Sequence, residues 1–175
     1  MKRLSIAVLG VLLAAGCSSS STPSASSAAG STVRFTATLS PANENPPIAN
    51  AESTGSGTAT IDMILAKDGS GTVTGAVVNF SQVTLTGFPS TTVVNIAHIH
   101  TGTSTQNGGI LVNTSLAPGD LVLTNGAGSF ARTNIATLSN DSAQAVINNP
   151  AGFYFNVHTS LNPGGVMRGQ LVRAN

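Results

Sequence analysis

From Val33 onward apolar and polar residues alternate with a period of two. Val33, Phe35, Ala37 and Leu39 alternate with Arg34, Thr36 and Thr38, and Ala59, Ile61, Met63 and Leu65 alternate with Thr58, Thr60, Asp62 and Ile64. Successive side chains of a strand point to opposite faces, so this pattern predicts strands with one face in a core. Further strands are predicted at Thr72–Phe80, Thr92–His100, Leu121–Thr124, Ser129–Thr133, Phe153–Thr159 and Met167–Arg173. Turn-forming groups separate them: Lys67-Asp68-Gly69-Ser70-Gly71, Asn107-Gly108-Gly109, Asn125-Gly126 and Asn162-Pro163-Gly164-Gly165. One short helix is expected over Ala143–Ile147, with N-cap candidates at Asn140-Asp141-Ser142 and a stop at Asn149-Pro150. The expected fold class is all-β: an antiparallel Greek-key β-sandwich, immunoglobulin-like or copper-zinc superoxide dismutase-like, with one short helix.

The first 32 residues break this pattern. Lys2 and Arg3 precede a short apolar run, Leu4–Ala15, and Ala15-Gly16-Cys17 follows. The run is too brief for a permanent bilayer span and reads as an export signal over residues 1–16. The Ala-Gly-Cys box resembles the bacterial lipoprotein cleavage site, with Ala14 where Leu is most common. The resemblance implies that Cys17 becomes the lipidated first residue. Its acyl chains would anchor the protein, each buried methylene contributing about 0.8 kcal/mol. Residues 17–32, rich in Ser and Ala, read as the lipidated Cys and a flexible tether, and residues 33–175 as the folded domain. The expected location is the bacterial cell envelope, on the extracytoplasmic side, with the membrane as a partner through Cys17 and an envelope protein as a further, unidentified one.

Composition narrows the function classes. Only 7% of the 175 residues are charged, and removal of residues 1–16 leaves five basic against six acidic side chains, a net charge of −1. Phosphate recognition needs clustered Lys and Arg, so nucleic acid is not an expected partner. Cys17 is the single cysteine, which excludes an internal disulfide. No Ser stands in a nucleophile-elbow pattern and there is no phosphate loop, so no catalytic residue is assigned.

The three histidines carry the candidate chemistry. His98 and His100 lie two apart at the end of one predicted strand, so both face the same way about 6.5–7 Å apart. His158 ends another strand, in which Phe153, Phe155 and Val157 form one face and Tyr154, Asn156 and His158 the other. Neighbouring strands would bring the three imidazoles together, a set suited to copper or zinc. Equally, each ring could anchor backbone at the rim of the sandwich. Arg168 reads as a cross-strand hydrogen-bond donor or a partner of Glu44, and a one-residue slip in the preceding loop would turn it to the other face. Glu44 sits in a stiff Glu44-Asn45-Pro46-Pro47 turn without a second carboxylate at a spacing useful for acid–base work.

Five motifs in order, Phe35-Thr36-Ala37-Thr38-Leu39-Ser40, Glu44-Asn45-Pro46-Pro47, Ala97-His98-Ile99-His100-Thr101-Gly102, Asn156-Val157-His158-Thr159 and Arg168-Gly169-Gln170-Leu171, resemble the CHRD domain. That domain takes its name from chordin and occurs in many exported bacterial proteins. The resemblance covers Val33 to Arg173 and implies an extracytoplasmic β-sandwich, read first as a non-catalytic binding module. The chain departs from the family pattern at Asn45, where Val is usual, at Val166, where an acidic residue is usual, and in the long Gly102–Gly109 loop. A weaker similarity links His98-Ile99-His100, Val157-His158 and Gly165–Arg168 to the copper half of copper–zinc superoxide dismutase. That site normally has four histidines, against three here, and fold resemblance does not transfer activity. The readings are therefore a tethered binding module, a three-histidine copper or zinc protein, and, behind both, a dismutase-type enzyme.

Overall fold

The computed structural model of the protein describes residues 30–174. The export segment, Cys17 and most of the expected tether lie outside the described residues.

The described elements are β1 (Thr32–Leu39), β2 (Ser56–Lys67), β3 (Val73–Thr86), β4 (Val94–Thr101), β5 (Ile110–Asn113), β6 (Gly128–Ser139), α1 (Asn140–Asn148), β7 (Phe153–Thr159), β8 (Met167–Gln170) and β9 (Val172–Arg173). They form two antiparallel sheets, ordered β6-β3-β2-β1-β9 and β5-β4-β7-β8. The all-β sandwich with one helix expected from the alternation is the fold observed. Phe35, Ile61, Val78 and Phe80 of the larger sheet face Ala97, Ile99, Phe155 and Met167 of the smaller, all buried. The Phe80 and Phe155 rings meet across the layers with centroids 5.6 Å apart. Each of these side chains larger than Ala97 stabilises the fold by about 1.5–3 kcal/mol through removal from water.

Local signals account for most boundaries. The Asp68 carboxylate accepts hydrogen bonds from the Ser70 and Thr72 backbone N–H groups, both at 2.9 Å, closing the β2–β3 turn. Ser139, one residue before the expected caps, accepts from the Ser142 N–H and starts α1, which buries Ala143 and Val146.

Two expectations need correction, and one strand was not anticipated. Leu121–Thr124 is no strand: Leu121 and Leu123 are buried in the core, but the segment pairs only through Thr124 and Ala127 around the left-handed Asn125-Gly126 turn. Alternation there reports burial and not a ladder. Ile110–Asn113, too short to stand out, pairs with β4 as an edge strand. The stretch Met167–Arg173 is two strands. Gln170 pairs with Tyr154 in the smaller sheet and Val172 with Thr36 in the larger, so the chain changes layers at buried Leu171.

That layer change brings β8 hard against β1. The Ser40 N–H and C=O both bond the Arg168 backbone, and a Cβ on Gly169 would collide with the Thr38 carbonyl. The obstacle is backbone and cannot swing aside. Gly169→Ala is expected to destabilise the domain by about 1–3 kcal/mol, the usual range for overpacking. Urea unfolding followed by circular dichroism measures this, and an unchanged midpoint would contradict the close contact.

Candidate metal site

The register of the smaller sheet places the polar side chains. His98 lies opposite Asn156 and His100 opposite Tyr154, and Asn156 and Tyr154 in turn lie opposite Arg168 and Gln170. His158 follows Asn156 by two residues on the same face. All these side chains therefore project from the face opposite the core, and the two registers remove the ambiguity over where Arg168 points. This second face is also closed to water: every residue of β7 is buried. The segment after β1 and the loops after β4 and β7 cover it.

Here the three imidazoles converge. One ring nitrogen from each of His98, His100 and His158 lies within 4.8 Å of the other two, and among the described residues they form the cluster able to grip a metal ion. The His98 Nδ1 and His158 Nε2 atoms are 3.2 Å apart. A tetrahedral ion with bonds of about 2.0–2.1 Å sets its ligands about 3.3–3.4 Å apart, so this pair already has ligand spacing.

Backbone carbonyls set the tautomers of the other nitrogens. His100 Nδ1 faces the Gly108 carbonyl and His158 Nδ1 faces the Pro163 carbonyl, each at 3.0 Å. A carbonyl only accepts, so both Nδ1 atoms carry hydrogen and both Nε2 atoms present lone pairs. His100 Nε2 is buried without a hydrogen-bond partner in the protein. The two roles weighed for these rings thus coexist: one nitrogen anchors a loop and the other is left for a ligand. This is the outer-sphere arrangement of ligating histidines, whose second N–H is held by an oxygen acceptor. In the metal-free protein His98 Nδ1 donates its hydrogen to His158 Nε2; for His98 Nδ1 to ligate an ion, that proton would move to His98 Nε2, which keeps the ring neutral.

Electrostatics keep the rings neutral. Burial pushes His98 down to about 4, with His158 and His100 adding repulsion between charged rings. His100 and His158 are also lowered, chiefly by burial; the Gly108 and Pro163 carbonyls oppose that shift, while Arg168 adds to it for His100 and His100 for His158. Neutral imidazole is the form that binds metal.

Arg168 organises the rest. Its side chain is 1% exposed, and four of its N–H groups are used. Nε donates to the Asn43 carbonyl at 2.7 Å, Nη1 to the Gln106 carbonyl and Asn107 Oδ1 at 3.1 and 2.8 Å, and Nη2 to the Ser104 carbonyl at 2.9 Å. The guanidinium sits 4.7 Å over the Tyr154 ring, and Tyr154 stacks on His100 with centroids 5.0 Å apart. The Tyr154 hydroxyl accepts from the Gly108 N–H, whose residue also holds His100.

Glu44 is the second charged group under these loops. Its carboxylate is 4.0 Å from Arg168 Nε, a contact without a hydrogen bond, because the guanidinium is spent on carbonyls. Burial pushes Glu44 up to about 7, against the pull of Arg168 and of the Asn45 N–H.

All seven candidate residues of the folded domain, His98, His100, His158, Glu44, Tyr154, Asn156 and Arg168, are buried on this one side of the smaller sheet. Cys17 lies outside the described residues. The residues missed by sequence reasoning are those acting through backbone, Gly108 and Pro163; the turn signals at Asn107-Gly108-Gly109 and Asn162-Pro163-Gly164-Gly165 were their only trace. The family departures also find their places. Asn45 ties the two loops, donating to the Thr105 carbonyl and accepting from Asn107 Nδ2. Val166 is fully buried.

Comparison with known proteins returned no match among curated proteins or solved structures. Residues 35–171 match the family model of the CHRD domain. That span runs from β1 through the His-Ile-His strand and His158 to the end of β8, so the chain belongs to the CHRD domain family.

Proposed function

We propose that this chain is an extracytoplasmic, non-catalytic binding module, tethered to a membrane of the cell envelope through lipid on Cys17, and that it holds one copper or zinc ion between His98, His100 and His158. The observation that carries the metal reading is the tautomer arrangement: two backbone carbonyls commit the Nδ1 hydrogens of His100 and His158, leaving their Nε2 lone pairs to converge with His98. His98 has no carbonyl anchor; its Nδ1 is held by His158 Nε2, inside the cluster itself. Three imidazoles leave a fourth position for water or an exogenous ligand. Bound ion would supply Lewis acidity there if zinc and redox capacity if copper. The protein's own part is to hold three neutral rings in a dry, prepared cradle. A dismutase reading has less support, since three histidines are one short of the usual copper set. The low charge gives no support to nucleic acid as a partner.

Purified without a histidine tag, the protein should take up about one equivalent of zinc or copper and be stabilised by it. At an ion concentration of about 100 times Kd the gain is about 2.7 kcal/mol. The gain should vanish in His158→Ala and His98→Ala. Equal metal content in wild type and variants, by elemental analysis after gel filtration, would end the reading.

The pH dependence of the metal-free protein has a definite sign. All three histidines have folded-state values below the ordinary 6.5, with His98 at about 4, so below 6.5 the unfolded chain binds more protons at these sites. Stability therefore rises with pH through this window and falls on acidification. Glu44 works oppositely: its raised value makes the folded state hold a proton between 4.5 and about 7, so its contribution declines as pH rises. In Glu44→Gln, where the opposing carboxyl is gone, denaturation midpoints should increase from pH 4 to 6.5. His98→Asn should flatten the slope and Glu44→Gln should steepen it. Membrane attachment is checked separately: Cys17→Ser should move the protein from the membrane to the soluble fraction.

A further inference from the structure

His100 and His158 each rely on a backbone carbonyl, and each carbonyl lies in a loop held by a buried charged residue. For the loop of Gly108 that residue is Arg168. For the turn after β7 it is Glu52. Glu52 is 2% exposed, and among the described residues its carboxylate has no ion-pair partner. Such a group is costly to bury unless hydrogen bonds meet it. Its Oε2 accepts from the Thr159 hydroxyl and from Asn162 Nδ2, both at 2.6 Å. The Thr159 hydroxyl in turn accepts from the Asn162 N–H at 3.0 Å. The Asn162 carbonyl accepts from the Thr159 and Gly165 N–H groups at 3.2 and 3.1 Å, and Asn162 Oδ1 accepts from Asn50 Nδ2 at 2.8 Å. Every polar group of Asn162 is thus engaged. The next residue is Pro163, whose ring locks φ. The bond from the Gly165 N–H to the Asn162 carbonyl closes a β-turn with Pro163 and Gly164 at its centre. Pro163 has little freedom left, and its carbonyl stays 3.0 Å from His158 Nδ1.

We infer that Glu52 is a positioning residue of the three-histidine site. By gripping Thr159 and Asn162 it fixes the turn whose Pro163 carbonyl takes the hydrogen of His158 Nδ1, and so keeps the His158 Nε2 lone pair for the ion. This rests on the three-histidine reading. Without the grip the turn loses its buried anchor, the Pro163 carbonyl moves off His158, and the ring hydrogen divides between the two nitrogens. A His158 that carries its hydrogen on Nε2 has no lone pair there for an ion. The acceptor matters more than the charge: a carboxamide oxygen in the same place can take both hydrogen bonds, whereas a methyl group can take neither.

The test compares wild type, Glu52→Gln and Glu52→Ala in the full chain, metal-free and with zinc. Nuclear magnetic resonance of labelled imidazole nitrogens reports which nitrogen of His158 carries hydrogen, a readout that a loss of stability alone does not move. Wild type and Glu52→Gln should both show hydrogen on Nδ1, with zinc affinities within about threefold of each other. Glu52→Ala should show mixed tautomers and bind zinc about tenfold more weakly, the lower end of the loss that follows removal of outer-sphere partners. Circular dichroism scores folding. Should Glu52→Ala not fold, Thr159→Val, which removes the hydroxyl between Glu52 and the Asn162 N–H, is read in its place with the same expected direction. A folded Glu52→Ala or Thr159→Val with the wild-type tautomer and zinc affinity overturns the positioning role, even if its denaturation midpoint falls, and leaves the metal site standing. Glu52→Gln no better than Glu52→Ala overturns it too. Absence of zinc uptake by wild type brings down the three-histidine reading itself, and the inference with it.

Discussion

The structure around the site depends on one buried guanidinium. Arg168 is a charge removed from water, which is costly unless its donors are met. They are met by backbone: the carbonyls of Asn43, Ser104 and Gln106 and the side-chain oxygen of Asn107. Those acceptors come from two segments far apart in sequence, and both must close over the same face of the smaller sheet for the charge to be satisfied. Covering that face is what buries the histidines. Arg168, Tyr154 and His100 form a continuous stack, so the residue that pins the loops also fixes one ring of the cluster.

The choice of acceptors has a consequence for Glu44. Because four of the Arg168 N–H groups go to other acceptors, the nearby Glu44 carboxylate has the guanidinium at 4.0 Å without a hydrogen bond, and burial outweighs that attraction and the Asn45 N–H, so its affinity for a proton rises. The same dry setting acts in the opposite sense on the imidazoles and keeps them uncharged. One physical cause, burial, thus acts on both the imidazoles and the carboxyl near Arg168. A site built this way is organised before any ligand arrives, so binding costs little reorganisation.

Much of the fold was legible in the chain. The alternation in β1 is the burial pattern itself, that in β2 is interrupted by Asp62, buried between Arg34 and Ser81, and the turn after β2 is written in Asp68 and its neighbours. The grouping of Tyr154, Asn156 and His158 on one face followed from period two alone. Less legible was that this polar face is buried as deeply as the apolar one, since alternation normally signals a strand with a wet side. The false strand at Leu121–Thr124 and the broken one after Met167 have a common reason: hydrophobic period reports which side chains are inside and carries no information about the partner strand.

Residue identity alone determined the chemistry on offer: three imidazoles, a carboxamide, a carboxyl and a guanidinium, with strand period deciding which of them share a face. Whether they meet was decided by tertiary structure. Pairing of β4 with β7 and of β7 with β8 set the registers that bring His98, Asn156 and Arg168 into one row across the sheet. The tautomers were decided there too, since the Gly108 carbonyl belongs to the loop that supplies Arg168 with acceptors and the Pro163 carbonyl to the turn that joins β7 to β8. Local sequence can specify a donor, but its partner is chosen by long-range closure of the chain, and the electrostatics of the site follow from that closure.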